Sequence, residues 1–222
     1  MPETFPQDTF PKDTFPKDTL PIHVIDDDDA VRDSLCFLLE CAGLKVQAHT
    51  SAGAFIDGGV PATAGCIITD VRMPGLSGVE LLQYLNTRGS KIPVIVVTGH
   101  GDVPLAVEAM KLGAAEFLEK PFDDDALLAA VHTCLTQAAL HHHQDAVRSD
   151  VEERIAALSQ REHQVLELLL VGHANKVIAQ DLGISPRTVE VYRANVMTKM
   201  KAASLSELVR MALIAGVGGP VD

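Results

Sequence analysis

The sequence predicts two units of different class, an α/β domain on a five-stranded parallel sheet and a small all-α domain after it. Three observations carry this. From Ile22 to about Leu140, apolar runs of strand length alternate five times with helical segments. The runs IHVI, KVQAH, CIIT, PVIVV and AEFL are nearly continuous, which is expected of strands covered by helices on both faces. From Leu158 onward the period is purely helical.

The first 21 residues repeat TFPQD, TFPKD, TFPKD and then TLP. A proline at every fifth position blocks both a helix and a sheet ladder, so residues 1–21 are expected to be a disordered tail. In the α/β domain, residues 22–140, Asp28 or Asp29 caps VRDSLCFLLECA, which stops at Gly43. An amphipathic helix over Gly78–Arg88 stops at Gly89. Another spans Asp102–Leu112, with Pro104 in its first turn and Gly113 after it. Asp123–Asp125 lead the last helix, where carboxylates favour the positive dipole end. Residues 141–157, HHHQDAVRSDVEERIAA, form a linker that is polar and then helical, with His141–His143 in a solvated turn. In the all-α domain, 158–222, Ser159 and Glu162 make a capping box before HQVLELLLV, which ends at Gly172. NKVIAQDL, the turn GIS, and a helix with Ser185 as N-cap and Pro186 first follow. Ser204 and Glu207 repeat the capping box ahead of LVRMALIAG.

At 222 residues and 47% hydrophobic, the chain can bury two ordinary cores. No apolar run nears the ~20 residues of a membrane span, and Met1–Pro21 is too polar for a signal peptide. Cys36, Cys41, Cys66 and Cys134 show no CxxC spacing and are expected to be reduced core thiols of a cytoplasmic protein. The net charge of −12 is uneven: residues 1–150 hold 10 basic against 22 acidic side chains, and residues 151–222 hold 8 of each. Between Lys176 and Lys201, five basic residues face only Asp181 and Glu190. An acidic first domain and a locally basic second one suggest different partners.

Four strands end on polar residues: Asp26 and Asp27 after the first, Asp70 after the third, Thr98 after the fourth, Lys120 after the fifth. In a parallel sheet these ends share one edge, where ligands bind near the topological switch point. Carboxylates packed that closely need a cation among them. Mg²⁺ fits, because it takes hard oxygen ligands and keeps several waters. Asp27, Asp70 and a backbone carbonyl just after Asp70 would supply ligands, and Asp26 would hold a ligand water. Asp70 would then accept a phosphoryl group whose oxygens meet the Lys120 ammonium and the Thr98 hydroxyl.

The motifs VIDDDDAVRDSL, TDVRMPGLSGVELL and VVTGHGDVPLAVEAMKLGAAEFLEKPF resemble the receiver domain of two-component response regulators over essentially all of residues 22–140. The resemblance implies a flavodoxin-like sheet of order 2-1-3-4-5 and Asp70 as phospho-acceptor. It implies metal binding by Asp26, Asp27, Asp70 and the Arg72 carbonyl. It also implies switch and phosphate-contact roles for Thr98, Phe117 and Lys120, and a cis peptide before Pro121. At 117, Phe replaces Tyr, which removes a hydroxyl from the switch.

NKVIAQDLGISPRTVEVYRANVMTKM fits a helix-turn-helix. Val177, Ile178 and Leu182 face inward from its first helix; Val189, Val196 and Met200 share one stripe of the second. Arg187, Glu190, Val191 and Ala194 then lie mostly outside, where a recognition helix meets base edges, while Lys176, Arg193 and other basic residues serve phosphates. With LSQREHQVLELL and SLSELVRMAL, this stretch resembles the LuxR/FixJ-type output domain over residues 155–215. The family implies Thr188 and Lys199 near phosphates and base reading at Glu190, Val191 and Ala194. Several relatives carry Lys at the first and third of these. Glu190 can accept from a cytosine amino group and Val191 can touch a thymine methyl.

Together the resemblances imply a transcription activator of nitrogen-fixation genes, phosphorylated on Asp70 by a FixL-like sensor histidine kinase. They imply a homodimer when phosphorylated, promoter DNA and RNA polymerase as partners, no membrane, and no turnover of an external substrate beyond self-dephosphorylation. Two other classes are compatible with parts of the pattern. One is a small phosphohydrolase with Asp70 as nucleophile, although Arg72 stands where a second acid would be needed. The other is a regulator acting through protein contacts alone.

Overall fold

The computed structural model describes residues 20–61, 64–99 and 103–217. The expected tail therefore lies outside the described residues except for Leu20 and Pro21, as does Asp102. The chain divides into two compact units, Met1–His142 and His143–Asp222.

The first unit runs β1 (Ile22–Ile25), α1 (Asp29–Cys41), β2 (Val46–His49), α2 (Ala52–Asp57), β3 (Cys66–Asp70), α3 (Gly78–Thr87), β4 (Val94–Thr98), α4 (Val103–Lys111), β5 (Glu116–Glu119) and the start of α5 (Asp124–Ala156). The strands pair in parallel in the order β2-β1-β3-β4-β5. Ile22, Val24, Cys66, Ile68, Ile95 and Val97 pack on one side with Leu35 and Leu39 of α1 and Leu127 and Val131 of α5. Ile25, Ile67, Val94 and Val96 face the other way, onto Phe55, Leu81, Leu85 and Ala109 of the intervening helices. Two buried faces explain why these strands read as unbroken apolar runs.

Asp28 is the N-cap of α1; its carboxylate accepts from the amides of Ala30 and Val31. A capping box of Ser77 and Glu80 starts α3. Two expectations need correction. His141–His143 lie inside α5, exposed, because no Gly or Pro interrupts 124–156. Residues 139–150 of that helix are all exposed, supported by charge pairs such as Arg148–Glu152 at 2.7 Å. Of the cysteines, Cys66 and Cys134 are buried, Cys36 is half-buried, and Cys41 is exposed rather than in the core.

Beside the sheet, His23 on β1 is 4% exposed and its Nδ1 lies 2.9 Å from Nε2 of His49 on β2. Phe55 packs edge-on against both rings. Burial, and then the nearby His49, push the His23 pKa down to about 4. The unfolded chain takes that proton near 6.5, so stability is full above 6.5 and falls as pH drops toward 4. Between pH 8 and pH 5 this loss is about 2 kcal/mol in urea unfolding, and His23→Gln should flatten it.

In the second unit, the end of α5 packs Val151 and Ile155 against Leu166 of α6 (Gln160–Leu170), Val196 and Met200 of α8 (Pro186–Met200), and Leu208 of α9 (Leu205–Ile214). α7 (Asn175–Leu182) adds Ile178 and Ala179 to a second cluster with Val165, Leu169 and Val189. Val177 points outward, 42% exposed, contrary to the sequence reading. Ile178 and Leu182 are four apart on the inward face, and Val177 falls on the adjoining outer one. Ser204 caps α9 as expected, but Glu207 accepts from the Ala203 amide at 2.8 Å rather than closing a full box.

Candidate functional site

The acidic edge forms where β1 and β3, neighbours in the sheet, both end on carboxylates. Asp26 is 2% exposed and Asp70 8%. Lys120, just past β5, reaches between them: its Nζ donates to Asp26 Oδ2 and to Asp70 Oδ1, each at 2.8 Å. The buried carboxylates thus have the cation they require in the chain's own ammonium. Burial pulls the Lys120 pKa down, yet its hydrogen bonds to Asp26 and Asp70 outweigh this and raise it above the usual lysine value.

The remaining carboxylate oxygens are oriented by backbone. Asp70 Oδ2 accepts from the Arg72 amide at 2.7 Å, and Asp26 Oδ1 from the Asp28 amide at 3.0 Å. Thr98 is buried at the end of β4, and its carbonyl accepts from the Lys120 amide at 2.7 Å. The Lys120–Pro121 peptide is cis. Phe117, on the middle of β5, is half-buried against the α3–α4 side of the core.

Asp27 departs from the close grouping. It is exposed and lines, with Val71, Arg72 and Glu80, an open depression of about 770 Å³. Among the described residues no three His, Cys, Asp or Glu side chains stand close enough to hold a metal. The expected carboxylate cage of Asp26, Asp27 and Asp70 is therefore open: Lys120 bridges Asp26 and Asp70, while Asp27 is exposed. The donors are nonetheless all hard oxygens, and an open set suits Mg²⁺, which keeps part of its water shell.

Two residues of this site were missed in the sequence. Arg32 of α1 is 9% exposed and donates from Nη1 to the Asp26 carbonyl at 2.8 Å. Gly78 opens α3 directly against Asp70; a Cβ there would lie 2.2 Å from the Asp70 carbonyl oxygen. Its role is a tertiary contact that sequence spacing does not reveal. Arg32 did leave a signal, a charge in the apolar stripe it shares with Leu35 and Leu39.

In the helical unit, Lys176, Arg187, Glu190, Val191 and Ala194 are exposed on α7 and α8. Thr188 is half-buried, its hydroxyl 2.8 Å from that of the N-cap Ser185. Arg193 bonds Asn175 at 3.2 Å and so ties α8 to the start of α7. Lys199 is paired with Glu162 at 2.6 Å. That hydrogen bond, and next the Ser159 amide, hold Glu162 well below the usual carboxylate range, at about 2. The pair's contribution is present above pH 4.5 and is lost as pH falls toward 2. Lys199→Ala leaves a carboxylate that is 3% exposed without its cation. A loss of about 1–3 kcal/mol is expected for the helical unit, read by thermal unfolding at neutral pH.

Residues 22–132 match the response regulator receiver domain family, and residues 156–212 match the luxR family of bacterial regulatory proteins. The transcriptional regulatory protein FixJ of Azorhizobium caulinodans is 71% identical over 90% of this chain and 95% of its own length. The FixJ of Bradyrhizobium diazoefficiens is 56% identical over 88% and 96%. The chain belongs to the FixJ-type response regulators. A solved structure of the response regulator StyR is 40% identical, with a TM-score of 0.79, and covers 88% of this chain and 98% of that one. FixJ-type proteins join a receiver with a flavodoxin-like sheet to a LuxR-type helical output domain. In the FixJ-type frame, the acidic edge belongs to the receiver, and α7 with α8 to the DNA-binding end. No helix among the described residues is long and apolar enough to cross a membrane.

Proposed function

We propose that this protein is a cytoplasmic activator of nitrogen-fixation transcription, switched by phosphorylation of Asp70. The observation that carries the proposal is the Asp26–Lys120–Asp70 grouping at the ends of β1, β5 and β3, on a chain that also has a LuxR-type domain. Receiver domains generally use Mg²⁺ for phosphorylation. Here Asp26, Asp27, Asp70 and the Arg72 carbonyl would hold it, and when bound it neutralises phosphoryl oxygens so that a carboxylate can attack.

Asp70 attacks phosphorus of the kinase phosphohistidine; the P–N bond breaks as the P–O bond forms, and the imidazole leaves. The donor is a FixL-like sensor kinase. Lys120 transfers its hydrogen bond from the carboxylate to a phosphoryl oxygen, and the Thr98 hydroxyl moves to another. Phe117 then turns further inward, and the surface of α4 and β5 repacks. Receiver dimerisation follows, and the DNA-binding helix becomes available to a two-fold site, where the dimer engages RNA polymerase. Hydrolysis of the acyl phosphate on Asp70 resets the switch.

The test is sedimentation and promoter footprinting of the full chain, with and without Mg²⁺ and a small phosphoramidate donor. Phosphorylation should produce a dimer and extended protection. A monomer with unchanged protection, or steady turnover of external phosphate esters, would contradict the reading.

A further inference from the structure

We infer that Arg32 is a positioning residue for the acidic pocket, clamping the turn that presents Asp26 and Asp27 and thereby setting the pocket's affinity for a divalent cation. The inference rests on the reading of the pocket as a cation-assisted phosphoryl acceptor.

Arg32, Leu35 and Leu39 are the residues that α1 buries. The spacing puts all three on one inward stripe, so a guanidinium occupies a place an aliphatic side chain would fill at no electrostatic cost. Its two arms show what it does there. Nη1 donates to the carbonyl of Asp26, and Nη2 meets the carboxylate of Asp29. One planar cation thus ties the residue that leaves β1 to the residue that opens α1, with Asp27 and Asp28 spanned between them. The same turn is fixed at two further points. The Asp28 amide donates to Asp26 Oδ1, and the Asp26 amide donates to the His49 carbonyl at 3.3 Å.

The choice of acceptor matters. By bonding the Asp26 carbonyl, Arg32 orients the residue without occupying its carboxylate, which stays available to Lys120 and to a metal. Lys120 already bonds one oxygen of that carboxylate, and a second side-chain cation there would compete further with the metal. Groups that orient metal ligands without touching the metal commonly change its affinity by about 10–100-fold.

The experiment titrates Mg²⁺ calorimetrically into the full chain, wild type and Arg32→Met, and records thermal unfolding in chelator. Phosphorylation by phosphoramidate is then followed at limiting and saturating Mg²⁺. Arg32→Met should weaken Mg²⁺ binding about tenfold or more while unfolding stays cooperative. At saturating Mg²⁺ its phosphorylation rate should return to within about threefold of wild type, which a damaged fold would not allow. Arg32→Lys, able to reach one partner at a time, should fall between the two. Wild-type Mg²⁺ affinity in a folded Arg32→Met protein, or a rate that saturating Mg²⁺ does not restore, overturns the inference. Should Arg32→Met not fold, Arg32→Lys decides: weakened binding at an unchanged melting temperature supports the clamp, and wild-type binding overturns it. Failure of the wild type itself to bind Mg²⁺ or take up phosphate would instead defeat the reading of the pocket.

Discussion

Asp70→Asn should abolish phosphoryl uptake and, with it, every donor-dependent change in DNA binding. The substitution keeps the side chain's size, and its remaining oxygen can still accept from the Arg72 amide that Asp70 uses at 2.7 Å. Lys120 retains Asp26 as a partner at 2.8 Å. The fold is therefore expected to survive while the nucleophilic carboxylate is lost. The readout is the salt dependence of promoter binding. If each subunit neutralises ~4 phosphates, the slope of log K against log salt is about −3.6 for a monomer and about −7 for a dimer. Wild type should move from the first value to the second when donor is added. Asp70→Asn should stay at the first under both conditions.

Lys120→Met is expected to have the largest effect on stability. Asp26 and Asp70 are almost wholly buried and share this ammonium. Removing one partner of a buried ion group leaves uncompensated charge, at a cost of about 3–5 kcal/mol. The loss should be largest in chelator. It should shrink as Mg²⁺ is added, because an ion that binds only the folded pocket stabilises by mass action. In wild type the sign with pH follows from the raised lysine pKa. The contribution is complete below the ordinary value of 10.5 and disappears as pH climbs through the raised one. Chemical unfolding in chelator and in Mg²⁺ measures both effects. An unchanged midpoint in chelator would mean that the three side chains are not mutually compensating.

Much of this architecture was legible because its physics is local. Strands buried on two faces must be apolar throughout, so IHVI, CIIT and PVIVV stand out, and the first polar residue after each marks the sheet edge. Asp26, Asp70 and Thr98 were legible for that reason, whereas Lys120 follows β5, whose glutamates are exposed, and is marked only by its place at the end of that short strand. Ser159, Ser185 and Ser204 marked helix starts because a side-chain oxygen there satisfies an otherwise orphan amide. What failed to show depends on tertiary contact or on weak periodicity. The six-residue α2 is too short to display a period. The closeness of Gly78 to Asp70 exists only after the chain folds. The middle of α5 carries no buried residue, so its pattern looks like a polar linker although its backbone is helical. Arg193 and Lys199 read from sequence as phosphate contacts; in the structure each braces α8, through Asn175 and Glu162 respectively.

The central claim is that one carboxylate, sharing the Lys120 ammonium with Asp26 at the edge of the sheet, receives the phosphoryl group. Reducing the phosphorylated chain with borohydride converts an aspartyl phosphate to homoserine, and peptide mass spectrometry then places it. The account predicts homoserine at position 70 and at no other aspartate. Modification at Asp26, Asp27 or a residue outside this edge, with Asp70 intact, would contradict it.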